Sequence, residues 1–245
     1  MLTEMPEVKE IDQYHQNKKS DMSSLHSMAN VNNPNSFSNR MRNRRFLVFE
    51  SLIKDLPRPI KMLDVGGTTE YWRRRGWAGN SDYQITLVNM SKEESEYDNI
   101  TGTVGDATNM SEHPDQSFDI VYSNSVIEHL FTFENQQAMA KEVQRIGRAY
   151  WIQTPNYYFP IEPHFHYPGW QWLPVETRIK MLMSRRCGQR GPIPEREKAE
   201  EMVKEIRLMK GREMRQIFPK ATLYKERFFG LVKSFVAHEG LGPKS

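Results

Sequence analysis

The sequence predicts an α/β protein with a doubly wound, mostly parallel sheet, an antiparallel last strand and a helical lid insertion. Three observations lead to this fold class. Short apolar strands alternate with helical patterns across residues 45–155, as in βαβ units with helices on both faces of a sheet. The alternation stops at Pro155, where a long aromatic and helical stretch begins. Two further strands, separated by Gly230, predict an antiparallel hairpin that closes the sheet.

The elements before the sheet are an arm and a helix. Residues 1–34 are polar and show no sustained period, so we expect a flexible or loosely docked arm. In FSNRMRNRRFLVFESLIKDL, apolar residues recur at intervals of three and four positions, which predicts an amphipathic helix. Pro57 and Pro59 follow, and we expect them to end this helix.

The sheet itself is predicted from short apolar and β-branched runs. They are residues 60–65, QITLVN at 84–89, TVG at 103–105, FDIVYS at 118–123 and AYWIQT at 149–154. A brief helix is expected at residues 69–75. A longer helix precedes the fifth strand, with Met139, Val143 and Ile146 on its core face. The hairpin at the end of the chain is predicted from ATLYKERFF and KSFVAHE.

The insertion at residues 155–215 combines aromatics and prolines with helical patterns around 176–186 and 196–209. Its length and its place after a sheet strand favour a lid or acceptor-binding segment over a linker. The aromatic residues of this stretch include Tyr157, Tyr158, Phe159, Phe165, Tyr167, Trp170 and Trp172. They are interpreted either as core or as the wall of an acceptor pocket, and the sequence does not decide between the two.

Composition and charge bear on location and partners. No apolar stretch approaches the roughly 18 to 20 residues of a membrane span, and the N-terminus lacks the apolar core of a secretory signal. We therefore expect a cytoplasmic protein without a membrane partner. The single cysteine, Cys187, excludes an internal disulfide and is interpreted as an ordinary thiol. The net charge of +3 is too small to indicate a nucleic-acid partner, although arginines cluster at 40–45, 73–75 and 185–190.

Four motifs follow successive strands, at the carboxyl ends where open α/β sheets bind ligands. They are LDVGGTTEYW, LVNMS, VGDA and FDIVYSNSVIEHL. In this order and spacing they resemble the motifs of class I S-adenosylmethionine-dependent methyltransferases, which have a Rossmann-like fold. The resemblance covers residues 45–155 and 219–240, and it implies a methyltransferase domain at 35–245. With TPNYYFPIEPHF and GLVKSFVAHEG, the pattern looks most like methyltransferases of sugars, glycans or specialised metabolites.

The resemblance implies S-adenosyl-L-methionine as cofactor, with S-adenosyl-L-homocysteine as product. Asp64 and the backbone of Gly66 and Gly67 would hold the methionine end of the cofactor. Glycine suits these positions because a side chain would block close approach of the ligand to the main chain. Asn89 stands where the family usually has an acid that contacts both ribose hydroxyls, and an amide can still donate and accept there.

Four further cofactor contacts follow from the same resemblance. Asp106 would accept a hydrogen bond from the adenine amino group, and the backbone N–H of Ala107 would face a ring nitrogen. Ser123 and Asn124 would line the site beneath the sulfonium. A nicotinamide dehydrogenase is disfavoured, because it expects G-x-G-x-x-G and an acid about 20 residues later, whereas the glycines stop at Gly67.

Candidate catalytic residues lie after the fourth strand and in the insertion. A hydroxyl acceptor needs a base, and His129, beside Glu128, is the favoured candidate because an imidazole accepts a proton near neutral pH. The alternative is that both residues brace the following helix. Glu162, His164 and His166 could bind a metal together with Glu128. Lid packing or acceptor contacts are favoured instead, so no metal is predicted and His164 is expected to face the acceptor.

The predicted function is methyl transfer from S-adenosyl-L-methionine to an oxygen, or a nitrogen, of a small molecule. Two alternatives remain open. An RNA methyltransferase would draw on the arginine clusters, although SNSVIEH replaces the Asn/Asp-Pro-Pro-aromatic motif of enzymes that methylate exocyclic amines. A catalytically silent S-adenosylmethionine-binding protein is suggested by Thr68 and Glu70, which replace glycines of the family's fuller loop, and by Asn89, which replaces its usual acid. The sequence leaves monomer and homodimer open.

Overall fold

The computed structural model of the protein describes residues 37–188 and 190–242, and the arm predicted at 1–34 lies outside them. The helices of the described residues are α1 (Phe37–Ile53), α2 (Thr69–Arg74), α3 (Phe133–Ile146), α4 (Val175–Ser184), α5 (Arg196–Glu205) and α6 (Gly211–Ile217). The strands are β1 (Ile60–Val65), β2 (Tyr83–Asn89), β3 (Ile100–Val104), β4 (Phe118–Asn124), β5 (Gly147–Pro155), β6 (Ile161–Glu162), β7 (Tyr167–Pro168), β8 (Thr222–Phe228) and β9 (Leu231–Glu239). None of these helices is long and apolar enough to cross a lipid bilayer.

Seven strands form one sheet in the order β3-β2-β1-β4-β5-β9-β8. Strands β1 to β5 are parallel, whereas β9 runs antiparallel to both β5 and β8. The predicted fold class, including the antiparallel last strand, is confirmed. Strand order reverses beside β1, between β1 and β4, and open α/β sheets bind ligands at such a switch point.

The third strand begins earlier than the sequence pattern indicated. TVG predicts a strand at residues 103–105, but β3 starts at Ile100, which is buried and pairs with Ile85. Gly102 interrupts the β-branched run at a place where a Cβ would overlap the backbone carbonyl of Glu93. The close approach of the neighbouring chain therefore requires the glycine that weakened the strand signal.

Helices cover both faces of the sheet, as the alternating pattern predicts. On one face, α3 buries Met139, Val143 and Ile146, in a core that also contains residues of α6. On the other face, α1 packs Phe46 and Phe49 into a largely aromatic core. Members of that core include Trp72, Trp77, Tyr122 and Trp151. Full burial of each such side chain contributes about 2–3 kcal/mol, so this face anchors both α1 and the loop that leads into α2.

The insertion has a small core of its own. Its buried residues are Phe165, Trp170, Ile179, Leu182, Cys187, Ala199 and Val203. The aromatic residues of the insertion therefore fall into a buried group and an exposed group. Phe165 stacks on Trp170 in the core, with ring centroids 4.2 Å apart, whereas Tyr158 and Trp172 are 59% and 50% exposed. Burial raises the pKa of the Cys187 thiol, which fits its interpretation as an ordinary thiol.

The insertion packs against the end of β4. The backbone N–H of Arg207 donates to the carbonyl of Glu128 at 2.8 Å. Gln136 of α3 donates from Nε2 to the carbonyls of Ile127 and Arg207, at 2.9 Å in each case. These hydrogen bonds bring the returning end of the insertion to the 3-10 turn Ile127–His129, which holds two of the predicted catalytic residues.

Candidate functional site

The loop after β1 is built around the Asp64 carboxylate. Asp64 is buried, and its Oδ2 accepts a hydrogen bond from the indole Nε1 of Trp72 at 2.7 Å. A Cβ on Gly67 would overlap that carboxylate, and one on Gly66, which has φ of +79°, would overlap Val126. Only glycine fits at these two positions, and the resulting cradle of bare backbone is open to close approach by a ligand. The sequence pattern missed Trp72, the partner of Asp64.

Burial is the main influence on the Asp64 carboxyl. It raises the pKa from an ordinary value near 3.8 to about 7, and the hydrogen bond from Trp72 opposes part of that rise. Tyr71 and Tyr122 belong to the same core, and their hydroxyls lie 2.6 Å apart. Burial raises the pKa of both phenols, so they stay neutral when Asp64 titrates. A cationic ligand above Gly67 would favour the ionised form of Asp64.

Thr68 and Glu70 have local structural roles in α2. Thr68 is the N-cap of the helix, and its side-chain oxygen accepts from the backbone N–H of Tyr71 at 3.2 Å. Glu70 accepts hydrogen bonds from Arg73 and Arg74, each at 2.6 Å, on the solvent side of the helix. These two departures from the family's glycines therefore shape a helix start. They do not fill the space above Gly67.

The predicted ribose and adenine residues lie at the ends of β2 and β3. Asn89 donates from Nδ2 to the carbonyl of Gly67 at 2.9 Å, which ties the second strand end to the first loop. Asp106 is exposed, and its Oδ1 accepts from the backbone N–H and the hydroxyl of Thr108, both at 2.8 Å. Ala107 is buried beside them. The structure thus places Asn89 and Asp106 at the sheet edge that carries Gly67.

The end of β4 is firmly held by its neighbours. The buried hydroxyl of Ser123 donates to the carbonyl of Val65 at 3.0 Å. Asn124 accepts from Nη2 of Arg45 at 2.7 Å, and Nη1 of the same guanidinium lies 3.0 Å from Glu226. Both predicted residues beneath the sulfonium are therefore positioned by fixed partners. Arg45 is a site-supporting residue that the sequence pattern did not single out.

Three predicted catalytic residues converge just beyond β4. Glu128, His129 and His164 each place a candidate ligand atom within 4.8 Å of the others, and the two imidazoles meet edge to face. Glu128 is fully buried, and its Oε2 accepts from the hydroxyl of Thr154 at 2.9 Å. The other oxygen, Oε1, has no hydrogen-bond partner among the described residues. We call Glu128, His129 and His164 the EHH cluster.

A carboxylate holds each imidazole of the EHH cluster by its Nδ1. Glu205 lies 2.8 Å from Nδ1 of His129, and Glu162 lies 2.6 Å from Nδ1 of His164. Glu162 is itself fixed, because its Oε2 accepts the backbone N–H groups of His164 and Phe165. In this arrangement Glu162 positions His164, and metal binding by Glu162, His164 and His166 together with Glu128 stays an alternative from the sequence.

Burial and neighbouring charge act on the protonation of the cluster in opposite directions. Burial raises the pKa of Glu128, and the charges of His164 and His129 offset part of this effect. For His164, burial lowers the pKa, but the hydrogen bond to Glu162 and the charges of Glu162 and Glu128 outweigh it, so the net pKa is raised. The three groups are therefore coupled, and removal of any one of them changes the protonation of the others.

Residues 63–149 match the profile of a family described as a methyltransferase domain. This segment runs from the middle of β1 into β5, and it contains the strand ends that carry the predicted cofactor residues. Over these residues the match agrees with the resemblance to class I S-adenosylmethionine-dependent methyltransferases seen in the sequence motifs. The fit of the cofactor to the site is supported by the glycine cradle and by the buried Asp64 beneath it, which suit the cationic methionine end.

Curated relatives add little to this assignment. Two uncharacterized proteins of Mycobacterium tuberculosis, from strains CDC 1551 / Oshkosh and H37Rv, are each 37% identical to the chain over 54 residues. The matched segment is 22% of this chain and 18% of the length of those relatives. The activity, substrates and partners of the whole protein are therefore not transferred from them.

Three solved structures are similar to the chain at low sequence identity. An S-adenosylmethionine-dependent methyltransferase of Aquifex aeolicus is 13% identical, with a TM-score of 0.43 and coverage of 80% of this chain and 87% of that one. A structure from Methanosarcina mazei, also described as S-adenosylmethionine-dependent methyltransferases, is 11% identical, with a TM-score of 0.46 and coverage of 78% and 95%. A Bordetella parapertussis protein described as a possible exported protein is 11% identical, with a TM-score of 0.51 and coverage of 89% and 79%. The last comparison shows a shared fold alone.

Proposed function

We propose that the protein transfers a methyl group from S-adenosyl-L-methionine to an oxygen atom of a small molecule. A sugar or specialised metabolite is the favoured class of acceptor. A nitrogen atom is the alternative to oxygen as the methylated atom. The single observation that carries this proposal is the position of the EHH cluster. It begins two residues after Val126, whose side chain lies against Gly66 of the cofactor loop. This adjacency supports the placement of a proton-handling group beside the reactive methyl.

The residues of the chain would contribute positioning, water exclusion and control of a proton. Bound S-adenosyl-L-methionine would supply a methyl group on a sulfonium, from which the neutral thioether of S-adenosyl-L-homocysteine leaves readily. Asp64 and the backbone at Gly66 and Gly67 would orient the methionine end. The insertion, held to the turn at Glu128 through Arg207, would cover the acceptor and exclude water. Positioning of this kind can contribute about 7–11 kcal/mol to lowering the barrier of an in-line displacement.

The EHH cluster would lower the free energy needed to remove the acceptor proton. A sugar-like hydroxyl has a pKa far above neutrality, so transfer to oxygen needs a group that makes the hydroxyl more acidic or accepts its proton. The carboxylates Glu162 and Glu205 hold the two imidazoles in fixed orientations. An acceptor oxygen placed at the cluster would meet groups that need no rearrangement before reaction.

Four arginines of the clusters at 40–45, 73–75 and 185–190 have acidic partners within the chain, which weakens the case for an RNA substrate. Arg45 is buried against Glu226, Arg73 and Arg74 pair with Glu70, and Arg190 pairs with Glu205. These guanidinium groups already have acidic partners within the chain. The idea of a catalytically silent protein was motivated by Thr68, Glu70 and Asn89. The local roles of Thr68 and Glu70 in α2 weigh against it, whereas the replacement of the usual acid by Asn89 still favours it.

The proposal is tested by a transfer assay with radiolabelled S-adenosyl-L-methionine against a panel of sugars, nucleotide sugars, phenols and amines, with RNA as a further acceptor. The expected result is transfer to a hydroxyl-bearing small molecule, with retention of activity at raised salt. Methylation of RNA alone, falling steeply with salt, would contradict the proposal, because phosphate contacts dominate such binding. Cofactor binding without transfer to any member of a broad panel would favour the silent protein.

A further inference from the structure

We propose that the EHH cluster is a binding site for one divalent transition-metal cation, with Glu128, His129 and His164 as its three protein ligands. Two imidazoles and one carboxylate suit Mn²⁺, Fe²⁺, Co²⁺, Ni²⁺ or Zn²⁺ better than Mg²⁺, which prefers all-oxygen ligands. Cation binding does not depend on the proposed function. The use of the cation in methyl transfer does rest on that function, and the two can therefore fail separately.

Candidate metal-ligand atoms from distant parts of the chain meet in the EHH cluster. Glu128 and His129 come from the turn after β4, whereas His164 comes from the β6–β7 hairpin of the insertion. Their candidate ligand atoms all lie within 4.8 Å of one another. At that separation one cation can reach all three atoms with bond lengths of about 2.0–2.2 Å after small side-chain rotations.

The carboxylate oxygen Oε1 of Glu128 is available to bind a metal. The side chain is fully buried, and this oxygen has no hydrogen-bond partner among the described residues. An unsatisfied buried polar atom costs about 1–3 kcal/mol, and more when it carries charge. Because the hydroxyl of Thr154 holds only the other oxygen, Oε1 is the atom available for a metal.

The imidazoles of His129 and His164 are oriented as in metal-binding histidines. Glu205 and Glu162 engage Nδ1 of His129 and of His164, at 2.8 Å and 2.6 Å. When Nδ1 donates to a carboxylate, a neutral imidazole carries its lone pair on Nε2. Metal-binding histidines typically make this hydrogen bond, which fixes the ring and raises the basicity of the ligating nitrogen. Both histidines of the cluster have this second interaction in place.

The charged side chains around the EHH cluster also favour a cation. Three carboxylates, Glu128, Glu162 and Glu205, surround the two imidazoles, and Arg190 is paired with Glu205 at 3.0 Å. Arg178 also interacts electrostatically with Glu162, so three acids face two guanidinium groups. With both imidazoles neutral, as they are when they bind a metal, this group is one charge negative. A divalent cation compensates that excess at the point where the three ligands meet.

A cation at this position would replace a free imidazole at His129 as the means of activating the acceptor. Three protein ligands leave positions open for an acceptor hydroxyl, which becomes more acidic when a metal binds it. The O–H bond would break, and its proton would pass to solvent before the insertion covers the acceptor. An O–CH₃ bond then forms as the S–CH₃ bond breaks, and the electron pair of that bond stays on sulfur. No oxidant or reductant is needed.

The experiment uses the full chain after treatment with a chelator. Titration with Co²⁺ is followed by visible absorption, and titration with Mn²⁺ and Zn²⁺ is followed by calorimetry. We expect saturation at one ion per chain and Co²⁺ bands that report nitrogen and oxygen ligands. Glu128→Gln and His164→Ala should each weaken binding at least about tenfold. His113→Asn, which changes a histidine outside the cluster, should bind as the unmodified protein does.

Two outcomes overturn the metal site. One is the absence of one-to-one binding of any of the three ions at millimolar concentration. The other is equal binding by the Glu128→Gln, His164→Ala and unmodified proteins, since a site elsewhere would then explain the signal. Thermal melts of the apo-proteins show whether each variant is folded, and Glu128→Gln keeps the shape of the side chain. Binding of S-adenosyl-L-homocysteine to the apo-protein is measured in parallel, so that loss of the metal site and failure of the methyltransferase proposal are distinguished.

Discussion

The Asp64 carboxylate fills the space that a side chain at Gly67 would need. A Cβ on Gly67 would overlap Oδ2, the same oxygen that accepts the Trp72 indole N–H at 2.7 Å. The end of β1, the glycine loop and α2 are thereby locked into one unit. The cofactor loop is held from below by a buried acid, and its upper surface is bare backbone.

Gly67→Ala is expected to weaken binding of S-adenosyl-L-homocysteine at least about tenfold, because the new methyl group displaces Asp64 and shifts the loop that lies above it. The expected loss of stability is about 1–3 kcal/mol. Calorimetry and urea unfolding measure the two effects. The matched control is Gly230→Ala in the β8–β9 turn, where a Cβ meets nothing within 4 Å. Since that glycine has φ of +79°, alanine should lower stability there but leave binding unchanged.

Binding of the cofactor should strengthen as pH rises from about 6 to 8, because Asp64 has a pKa of about 7 and its anion favours a cationic ligand. Below pH 7 the cofactor would have to displace a proton. Calorimetry in buffers of different ionisation enthalpy should therefore detect proton release. Asp64→Asn should bind more weakly, with a flat pH profile across this range. An unchanged pH dependence in Asp64→Asn would assign the titration to another group.

The same pKa predicts an effect on stability. The folded-state pKa of Asp64 is raised above its ordinary value near 3.8, so the folded protein binds this proton more tightly than the unfolded chain does. The contribution of Asp64 to folding is therefore most favourable below pH 4, and it is lost as pH rises to about 7. Asp64→Asn should gain stability relative to the unmodified protein across that interval. Urea unfolding of both proteins at several pH values measures the difference.

Cofactor binding and turnover should separate in two variants. Asp106→Ala should weaken cofactor binding several-fold, because it removes the predicted adenine contact and the turn that Thr108 completes. His129→Ala should lower turnover by about a hundredfold or more and leave cofactor binding intact. Steady-state kinetics with separate calorimetry of S-adenosyl-L-homocysteine gives both quantities. A fully active His129→Ala protein would show that the EHH cluster plays no part in the reaction.

Loss of Glu226 should destabilise the fold strongly. Arg45 and Glu226 form a buried pair at 3.0 Å, and the same carboxylate accepts the hydroxyl of Ser234 at 2.7 Å. Glu226→Ala leaves an uncompensated buried guanidinium, with an expected cost of about 3–5 kcal/mol. The control, Glu70→Gln, breaks an exposed ion pair on α2 and should leave the melting temperature unchanged. Equal effects of the two variants would contradict the role assigned to burial.

The sequence predicted the elements of the sheet well because its strands are short, apolar and bounded by turn residues. β1 at Ile60–Val65 has the predicted bounds, and the core face of α3 was read from three residues at helical spacing. The start of β3 was missed because Gly102 interrupts its β-branched run. A glycine is required there because a neighbouring backbone segment lies very close. A local sequence pattern does not indicate such a tertiary contact.

The site could be predicted only in part for the same reason. Glu128, His129 and His164 were each identified as chemically capable residues, but their convergence depends on how the insertion folds back. His129 meets Glu205, 76 positions later in the chain, and no periodicity connects the two. The role of Trp72 is only weakly indicated by the sequence, in which it is an aromatic residue one turn into the helix after a glycine loop. Sequence patterns thus located the strand ends, whereas tertiary packing decided which side chains meet there.

The central claim is that the cradle over Asp64 holds S-adenosylmethionine, and calorimetric titration with S-adenosyl-L-homocysteine at pH 8 tests it most directly. We expect one-to-one binding with a dissociation constant of about 1–100 μM, that is, about −5.5 to −8 kcal/mol. Gly67→Ala should weaken that binding at least about tenfold. No heat of binding at millimolar ligand, or equal binding by the Gly67→Ala variant, would contradict the account.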